Sequence, residues 1–277
     1  MDQKKVLTIQ DISCVGRCSL TVALPIISAA GIETSVLPTA VLSTHTGGFE
    51  GYTYRDLTED IEPIVSHWIQ LGLTFDAIYT GYLGSFEQLR LVSEIFETFK
   101  SPDNLIVIDP VMADNGVLYG GFSTDFPKGM AELCGKADII IPNLTEAAFL
   151  LGQKYQEKYD VKYIDKLMKD LYDLGSKNIV LTGVSFEEDK LGIATYDGKT
   201  SSYYFSDKID GYFHGTGDIY ASTLVAAMIK LGSLNDAARA AVDYTVACIA
   251  ATIGSNRENK YGVNFESCIP VLLKCLT

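Results

Sequence analysis

The sequence has few basic residues, few histidines and no long apolar run. Its 277 residues include 22 Lys or Arg against 35 Asp or Glu, which gives a formal net charge of −13. A surface that binds nucleic acid or an anionic membrane needs charge of the opposite sign, so the composition argues against both partners. No apolar run approaches a membrane span, and "MDQKKVLTIQ" resembles the start of a strand rather than a signal peptide. We therefore expect a cytoplasmic protein that holds any bound anion through local groups.

The cysteines lack the paired C-x-x-C spacing of a structural metal site. Cys14 and Cys18 are close enough in sequence to share a metal, but no second pair follows and the chain has only three histidines. Several of the others lie in apolar helical contexts, where cysteine behaves as a small hydrophobe. We therefore expect reduced thiols at all six positions, which are Cys14, Cys18, Cys134, Cys248, Cys268 and Cys275.

Short β-branched runs alternate with helical stretches along most of the chain. The periodicity predicts helices at about residues 19–30, 57–71, 85–100 and 125–134, and further helices within residues 145–174. Continuously apolar strands such as "LIVI" at residues 105–108 are typical of a parallel sheet that helices cover on both faces. Around Asp197 and Gly198 the pattern changes to period two, which predicts a hairpin, and three helices follow. Because no linker or repeat interrupts the pattern, it predicts one α/β domain over residues 1–277.

The stretch "HGTGDIYASTL" at residues 214–224 places two glycines and one acid at a predicted helix start. The first N–H groups of a helix have no intrahelical partner and can bind an anion. The pattern therefore predicts an anion site at Gly215, Thr216 and Gly217. Asp218 would repel a phosphate there, unless it accepts a proton from the group that attacks the phosphate. The alternative is that the glycines only form a turn and Asp218 only caps the helix.

Polar residues end five predicted strands. In open parallel sheets, ligands bind beyond the carboxyl ends of the strands, and Mg²⁺ takes one or two carboxylates together with waters and phosphate oxygens. Each residue alone is explained as well by a polar strand end that meets solvent. Together they favour a magnesium–nucleotide site, and they are Asp11, Tyr82, Asp109, Asn143, and Thr182 with Gly183.

Five segments, spread over nearly the whole chain, each resemble a segment of the ribokinase superfamily and, within it, of the pyridoxal (vitamin B6) kinases. They occur in the same order as in that family. They are "LSTHTGGF" (42–49), "TGYLGSFEQ" (80–88), "IDPVMADNGVLY" (108–119), "PNLTEAAFL" (142–150) and "HGTGDIYAS" (214–222). The resemblance implies a ribokinase-like α/β fold, in which helices flank both faces of a central, mostly parallel sheet in three α/β/α layers. It also implies an ATP-dependent kinase that phosphorylates the hydroxymethyl group of pyridoxal, pyridoxine or pyridoxamine, usually as a homodimer.

The resemblance also assigns roles to individual positions. Asp218 matches the catalytic base, and the N–H groups of Gly215, Thr216 and Gly217 match the anion hole. The positions that match contacts to ATP, and to Mg²⁺ and its waters, are Asp109, Asp114, Tyr119, Asn143, Glu146, Thr182 and Gly183, with Asp109 and Glu146 as the candidates for the metal. The positions that match the vitamer pocket are Asp11, Thr46, Tyr82, His45 and Cys18, and His45 is equally suited to supporting its loop. A monovalent cation is a further candidate cofactor, which the sequence leaves open.

Asp11 departs from the family pattern, since many pyridoxal kinases have "IQS" where this chain has "IQD". A carboxylate that faces the vitamer would favour the ammonium group of pyridoxamine. If Asp11 instead contacts the ring hydroxyl or a backbone N–H, it would affect all vitamers alike. The preferred vitamer therefore stays open.

Two other functions remain as alternatives. Hydroxymethylpyrimidine kinases of thiamine synthesis share the architecture but often carry "GTGC" where this chain has "GTGD". A non-catalytic vitamer-binding protein would be expected to lose the acid of this motif, and here Asp218 is present.

Overall fold

The structure is a computed structural model that describes residues 3–255 and 258–277. Its strands are β1 (Lys5–Ser13), β2 (Glu33–Leu42), β3 (Tyr54–Asp56), β4 (Ala77–Thr80), β5 (Leu105–Ile108), β6 (Ala113–Asp114), β7 (Val117–Leu118), β8 (Ile139–Ile140), β9 (Asn178–Val184), β10 (Lys190–Tyr196) and β11 (Ser201–Asp207). Its α-helices are α1 (Leu20–Ala29), α2 (Thr58–Gln70), α3 (Phe86–Phe99), α4 (Phe126–Cys134), α5 (Leu144–Leu150), α6 (Val161–Tyr172), α7 (Thr216–Leu231), α8 (Leu234–Ile253) and α9 (Ile269–Cys275).

The predicted helices agree with α1 to α4 to within one residue at each end. The stretch 145–174 forms two helices, α5 and α6. Glycines follow the ends of α7 and α8, and Gly232 after α7 has the left-handed conformation (φ 70°) that closes a helix without a Cβ penalty. All six cysteines are free, and their reduced state stays a prediction. Within the described ranges, no helix combines the length and the hydropathy that a membrane span requires.

The chain divides into two compact units, of which the first is assembled from two separate segments. It comprises Met1–Ala77 and Ile209–Thr277, and the second comprises Ile78–Lys208. The expectation of a single domain stays a prediction.

In the first unit, β1 pairs in parallel with β2, and β2 pairs antiparallel with β3. Val22 and Ile26 of α1 share a buried apolar cluster with Ile219 of α7 and Tyr244 of α8. Burial of an aliphatic side chain such as that of Ile219 stabilises the fold by about 1.5–3 kcal/mol. Because α1 and α7 share this cluster, the loop before α1 and the first turn of α7 are held next to each other.

In the second unit, β5, β8 and β9 are parallel, and β9, β10 and β11 form an antiparallel meander. The apolar runs of β5 and β8 are buried, as predicted for strands covered on both faces. The predicted hairpin is confirmed: Tyr196 pairs with Ser201, and the Asp197 carboxylate accepts the N–H groups of Lys199 and Thr200 at 2.9 and 2.7 Å. These bonds close the turn locally.

Candidate active site

The start of α7 requires glycine at residue 215. Gly215 is the N-cap of α7 and has a φ of 80°, in the left-handed region. A Cβ atom at this position would lie 2.0 Å from the carbonyl oxygen of Arg17. Any other residue would therefore be strained by its backbone conformation and would also clash with the loop before α1.

The first turn of α7 presents backbone N–H groups. The N–H of Ile219 donates to the carbonyl oxygen of Gly215 at 3.0 Å, so the N–H groups of Thr216, Gly217 and Asp218 have no partner within the helix. A Cβ atom on Gly217 would have no other atom within 4 Å, and Gly217 is exposed. The turn is therefore open on the side of Gly217 and has the geometry of an anion site.

Asp218 lies in this first turn and is partly buried. The backbone N–H of Ser19 and the thiol of Cys18 lie near its carboxylate and favour the ionised form. Burial, with a smaller contribution from the charge of Asp11, raises the pKa of Asp218 to about 6. A carboxylate with a pKa near the working pH is well suited to accept a proton in the transition state.

Cys18, predicted to line the vitamer pocket, lies beside the base. Its Sγ is 3.9 Å from the position of a Cβ atom on Gly215. Burial, and then the negative charges of Asp218 and Asp11, raise the pKa of the Cys18 thiol well above its usual value. The thiol is therefore protonated.

Asp11 is only 4% exposed. Its carboxylate accepts a hydrogen bond from the Ser13 hydroxyl at 2.9 Å, and the Ser19 hydroxyl lies near enough to favour its ionised form. Burial raises the pKa of Asp11 above its usual value. The sequence analysis did not identify Ser13 or Ser19, because no spacing rule links them to a distant helix start.

His45 is buried, and both of its ring nitrogens contact the backbone. The N–H of Gly47 donates to Nδ1 at 3.1 Å, so Nε2 carries the proton and donates to the carbonyl oxygen of Lys260 at 2.6 Å. This geometry favours the role of His45 in supporting the loop over direct contact with a ligand. Thr46, the next residue, is exposed.

In the second unit, Asn143 and Glu146 form a capping box at the start of α5. The Asn143 side-chain oxygen accepts the N–H groups of Thr145 and Glu146 at 2.8 and 2.9 Å, and Glu146 Oε2 accepts the N–H of Asn143 at 2.9 Å. Glu146 Oε1 accepts the N–H of Met112 at 3.1 Å, and burial raises the pKa of Glu146. The spacing N-x-x-E in "NLTE" is the sequence signature of this cap, and the sequence analysis missed it.

A second missed element is the hairpin of β6 and β7, which holds or adjoins the predicted ATP contacts Asp114 and Tyr119. Its turn residues Asn115 and Gly116 both have positive φ, 50° and 77°, as in a type I′ turn. The Asn-Gly pair in "DNGV" is a known hairpin signal. The Asp114 carboxylate accepts the N–H of Asn115 at 2.8 Å, and Gly116 donates to the Thr145 hydroxyl at 3.0 Å. Tyr119, just after the hairpin, is 40% exposed.

The remaining predicted nucleotide contacts lie at strand ends of the second unit. Asp109 follows β5 and is buried. Thr182 in β9 bridges to Asn143 in parallel register. Gly183 has a φ of 76°, and a Cβ atom there would have no atom within 4 Å, so the backbone beside it is open. Tyr82, predicted at the vitamer ring, follows β4 and lies 5.6 Å from the ring of Phe122.

Both candidates for the metal lie in the second unit. Burial is the main cause that raises the pKa of the Cys134 thiol, and the negative charges of Glu146 and Asp109 raise it further. In the part of the chain that the structure describes, no three acidic, histidine or cysteine side chains form a metal-binding group. Mg²⁺ needs only one or two carboxylates, so Asp109 fits a direct ligand. Both oxygens of Glu146 already accept backbone N–H groups, so Glu146 fits a contact to metal-bound water.

The structure thus places the predicted residues in two groups, one in each unit. The first unit brings together Asp218 with Cys18 and Asp11, and it also holds Gly215, Thr216, Gly217, His45 and Thr46. The second unit brings together Asn143, Glu146 and Thr182, and it also holds Tyr82, Asp109, Asp114, Tyr119 and Gly183. The roles of these residues stay predictions.

Comparison with known proteins identifies the family. The family model described as "Phosphomethylpyrimidine kinase" matches residues 26–263. A provisionally assigned phosphomethylpyrimidine kinase from Bacteroides thetaiotaomicron, in a crystal form with pyridoxal, is 36% identical with a TM-score of 0.93, over 98% of this chain and 96% of that chain. The pyridoxal kinase from Lactobacillus plantarum is 31% identical with a TM-score of 0.91, over 99% and 98% of the two chains. The pyridoxine kinase of Bacillus subtilis is 30% identical over 194 residues, which are 67% of this chain and 68% of that protein.

These matches confirm the predicted α/β/α fold with its mostly parallel sheet and helices on both faces. The similarity to B6 kinases agrees with the resemblance of the five sequence segments. The chain belongs to the phosphomethylpyrimidine kinase family, within the ribokinase superfamily.

Proposed function

We propose that this chain transfers the γ-phosphoryl group of ATP to the hydroxymethyl oxygen of a B6 vitamer, that is, pyridoxal, pyridoxine or pyridoxamine. The observation that carries the proposal is the first turn of α7, where Asp218, with a pKa raised to about 6, lies beside N–H groups that have no partner within the helix. A base and an anion site in one turn are what phosphoryl transfer to a hydroxyl group requires. The relatives named pyridoxal kinase and pyridoxine kinase supply the substrate class.

In the proposed reaction, the oxygen of the vitamer hydroxyl attacks the γ-phosphorus of ATP while the ionised Asp218 accepts the hydroxyl proton. The bond between the γ-phosphorus and the β–γ bridging oxygen breaks, and ADP leaves. The N–H groups of Thr216 and Gly217 donate to the phosphoryl oxygens and stabilise the charge that develops on them. Their fixed orientation at the end of a helix needs no reorganisation during the reaction. Most of the rate acceleration then comes from positioning and charge stabilisation.

Mg²⁺, when bound, supplies positive charge to the phosphate oxygens. We propose Asp109 as its direct ligand and Glu146 as a contact to its waters. The homodimeric state and the cytoplasmic location belong to the proposal as well. Light scattering coupled to gel filtration tests the homodimer directly.

The second candidate substrate is hydroxymethylpyrimidine, because the family description names phosphomethylpyrimidine kinase. It is less favoured because pyridoxal and pyridoxine kinases are among the most similar relatives, and because this chain carries Asp218 at the position where kinases of the thiamine pathway often have cysteine.

A phosphorylation assay with the three vitamers and with hydroxymethylpyrimidine, each with Mg-ATP, tests the proposal. We expect the highest kcat/KM for a B6 vitamer and the loss of transfer when EDTA removes the metal. A higher kcat/KM for hydroxymethylpyrimidine would assign the chain to thiamine synthesis. Binding of a vitamer without any transfer would indicate the non-catalytic alternative.

A further inference from the structure

The segment 119–125, between β7 and α4, turns one aromatic side chain towards the protein. Phe122 is partly buried, whereas the other residues of this segment are exposed. The Phe122 ring stacks on the ring of Phe126 with a centroid distance of 4.2 Å and an interplanar angle of 25°. Phe126 is the first residue of α4 and is 2% exposed. The ring of Phe122 is therefore fixed to the core of the second unit.

The Phe122 ring also contacts Tyr82, the residue that the sequence predicts at the vitamer ring. The two ring centroids lie 5.6 Å apart at an interplanar angle of 46°, within the range in which aromatic pairs attract each other. Tyr82 follows β4 and is partly buried. Phe122 therefore links the Tyr82 ring to the buried Phe126 and restricts the orientations that the Tyr82 ring can adopt.

A glycine turn brings Phe122 to this place. Gly121 has a φ of 99°, in the region that favours glycine, and a Cβ atom there would have no other atom within 4 Å. Gly121 is thus required by its backbone conformation and not by a lack of space. The N–H of Phe122 donates to the carbonyl oxygen of Tyr119 at 3.4 Å. This turn leads the chain from the exposed Tyr119 to the inward-facing ring of Phe122.

The same segment begins at the hairpin of β6 and β7, which is fastened to the first turn of α5. The N–H of Tyr119 donates to the carbonyl oxygen of Met112 at 2.9 Å. The N–H of Met112 donates in turn to Glu146 Oε1 at 3.1 Å. The segment therefore joins the proposed nucleotide contacts at one end to Tyr82, through Phe122, at the other.

We propose that Phe122 is a positioning residue that holds the Tyr82 ring for the vitamer and couples this ring to the hairpin of β6 and β7. The inference rests on the proposed function, because it takes Tyr82 as a contact of the vitamer, and Asp114 and Tyr119 as contacts of ATP. A nucleotide that fixes the hairpin fixes Phe122, and the Tyr82 ring then loses less conformational freedom when the vitamer binds. Such a coupling is reciprocal, so each substrate strengthens the binding of the other by the same factor.

Two leucine substitutions separate this role from packing. Phe122→Leu and Phe86→Leu each remove an aromatic partner of Phe126, since the Phe86 ring lies 5.5 Å from that of Phe126. Phe86→Leu leaves the ring pair of Tyr82 and Phe122 intact and is the matched control.

Isothermal titration calorimetry measures the Kd of pyridoxine with and without AMP-PCP, an ATP analogue that cannot transfer its γ-phosphoryl group, with Mg²⁺ present throughout. We expect the parent and Phe86→Leu to bind pyridoxine about three- to tenfold more tightly when AMP-PCP is present, and Phe122→Leu to lose this gain. Phe122→Tyr keeps a ring against Tyr82 and should retain the gain. The absence of a gain in the parent, or the same gain in both leucine variants, would overturn the inference.

A double-mutant cycle with Tyr82→Leu tests the path of the effect. If Phe122 acts through the Tyr82 ring, adding Phe122→Leu to Tyr82→Leu should change the Kd of pyridoxine by less than about twofold. At saturating substrate, Phe122→Leu alone should keep kcat within about twofold of the parent while KM for pyridoxine rises. Additive effects of the two leucine substitutions would show that Phe122 acts independently of Tyr82 and would overturn the inference.

Carbon-13 NMR of tyrosine-labelled protein, without any vitamer, separates this inference from the proposed function. The Tyr82 ring resonance, assigned by its loss in Tyr82→Leu, should move when AMP-PCP is added to the parent and stay unchanged in Phe122→Leu. If the parent shows this response but phosphorylates no vitamer, the proposed function fails while the coupling holds. If the parent is active and the resonance does not respond, or responds equally in Phe122→Leu, the inference fails while the proposed function holds.

Discussion

Replacement of Asp218 by asparagine should make the protein more stable at neutral pH while it removes phosphoryl transfer. Folding raises the pKa of this carboxyl from 3.8 to about 6, mainly because of burial. Between these values the folded chain binds the proton more tightly than the unfolded chain, so the free energy of unfolding falls as the pH rises. Above about pH 6 the full cost of holding the ionised carboxylate is present. Asparagine has the same shape and carries no such cost.

The expected size of the effect follows from the pKa values. The pKa of Asp218 is about 6 in the folded chain and 3.8 in the unfolded chain. At about 1.4 kcal/mol per pH unit, this difference limits the gain in the free energy of unfolding to about 3 kcal/mol. Asp218 is partly exposed, so solvent screening reduces this value, and we expect a gain of about 1–2 kcal/mol. For a chain of this size each kcal/mol corresponds to about 2–4 °C in Tm.

Urea unfolding of the parent and of Asp218→Asn, at about pH 4 and about pH 7.5, measures this gain. The stability difference should be present at the higher pH and nearly absent at the lower one. The kinase assay on the same samples should show a loss of about 10²–10⁴-fold, as is typical when a general base is removed. Asp103→Asn, at an exposed carboxyl, is the matched control and should change neither quantity. An equal stability gain at both pH values, or turnover within a few-fold of the parent, would refute the reasoning.

Three further predictions concern the anion site, the ion pairs of the buried carboxylate of Asp138 and the thiols. Gly215→Ala should unfold at lower temperature and lose phosphoryl transfer, because its Cβ atom would meet the Arg17 carbonyl oxygen. Gly217→Ala has open space at its Cβ atom and should keep the thermal stability of the parent. Equal Tm values for the two variants would contradict this prediction. Asp138→Asn should destabilise the fold by about 2 kcal/mol at neutral pH. Burial alone would raise the pKa of Asp138, but its hydrogen bonds with Lys100 and Lys177 lower it. The stabilisation is therefore present above pH 3.8, the unfolded-state pKa, and is lost as the pH falls through the lower pKa of the folded state. Unfolding measured against pH checks this, and a loss that persists in acid would contradict it. Mass spectrometry of protein purified without reductant should find six free thiols, and a loss of two hydrogens per cysteine pair would count against this prediction.

Local patterns in the sequence predicted the features that depend on neighbouring residues. The buried strands β5 and β8, the hairpin at Asp197 and the helix start at Gly215 each have a signal within a few residues, and the structure confirms all three. The capping box of Asn143 and the turn at Asn115 also have local signals, which are the N-x-x-E spacing and the Asn-Gly pair.

The surroundings of Asp218 could not be predicted in this way. Its partners Cys18 and Ser19 come from the other end of the sequence, and no periodicity relates two segments that meet only after folding. The positive φ of Ser19, 52° at the N-cap of α1, is equally hidden, because serine is a common N-cap whose side chain ordinarily bonds its own helix, and here it does not. Asp11 was recognised as unusual, but whether it faces a ligand or its neighbours depends on the packing of β1.

The division of the first unit into two segments has a consequence for the order of events during synthesis. A ribosome produces Val22 and Ile26 long before Ile219 and Tyr244, the partners that cover them, have been translated. The early segment therefore leaves the exit tunnel with an uncovered apolar helix face, the kind of transiently exposed surface that makes nascent chains prone to aggregate. Loop closure over the intervening residues costs little extra entropy, since this cost grows only with the logarithm of length, but such long-range contacts slow folding. A translation arrest before residue 214 leaves a chain that cannot assemble the base with its partners, and the vulnerable interval lasts until α7 and α8 have emerged.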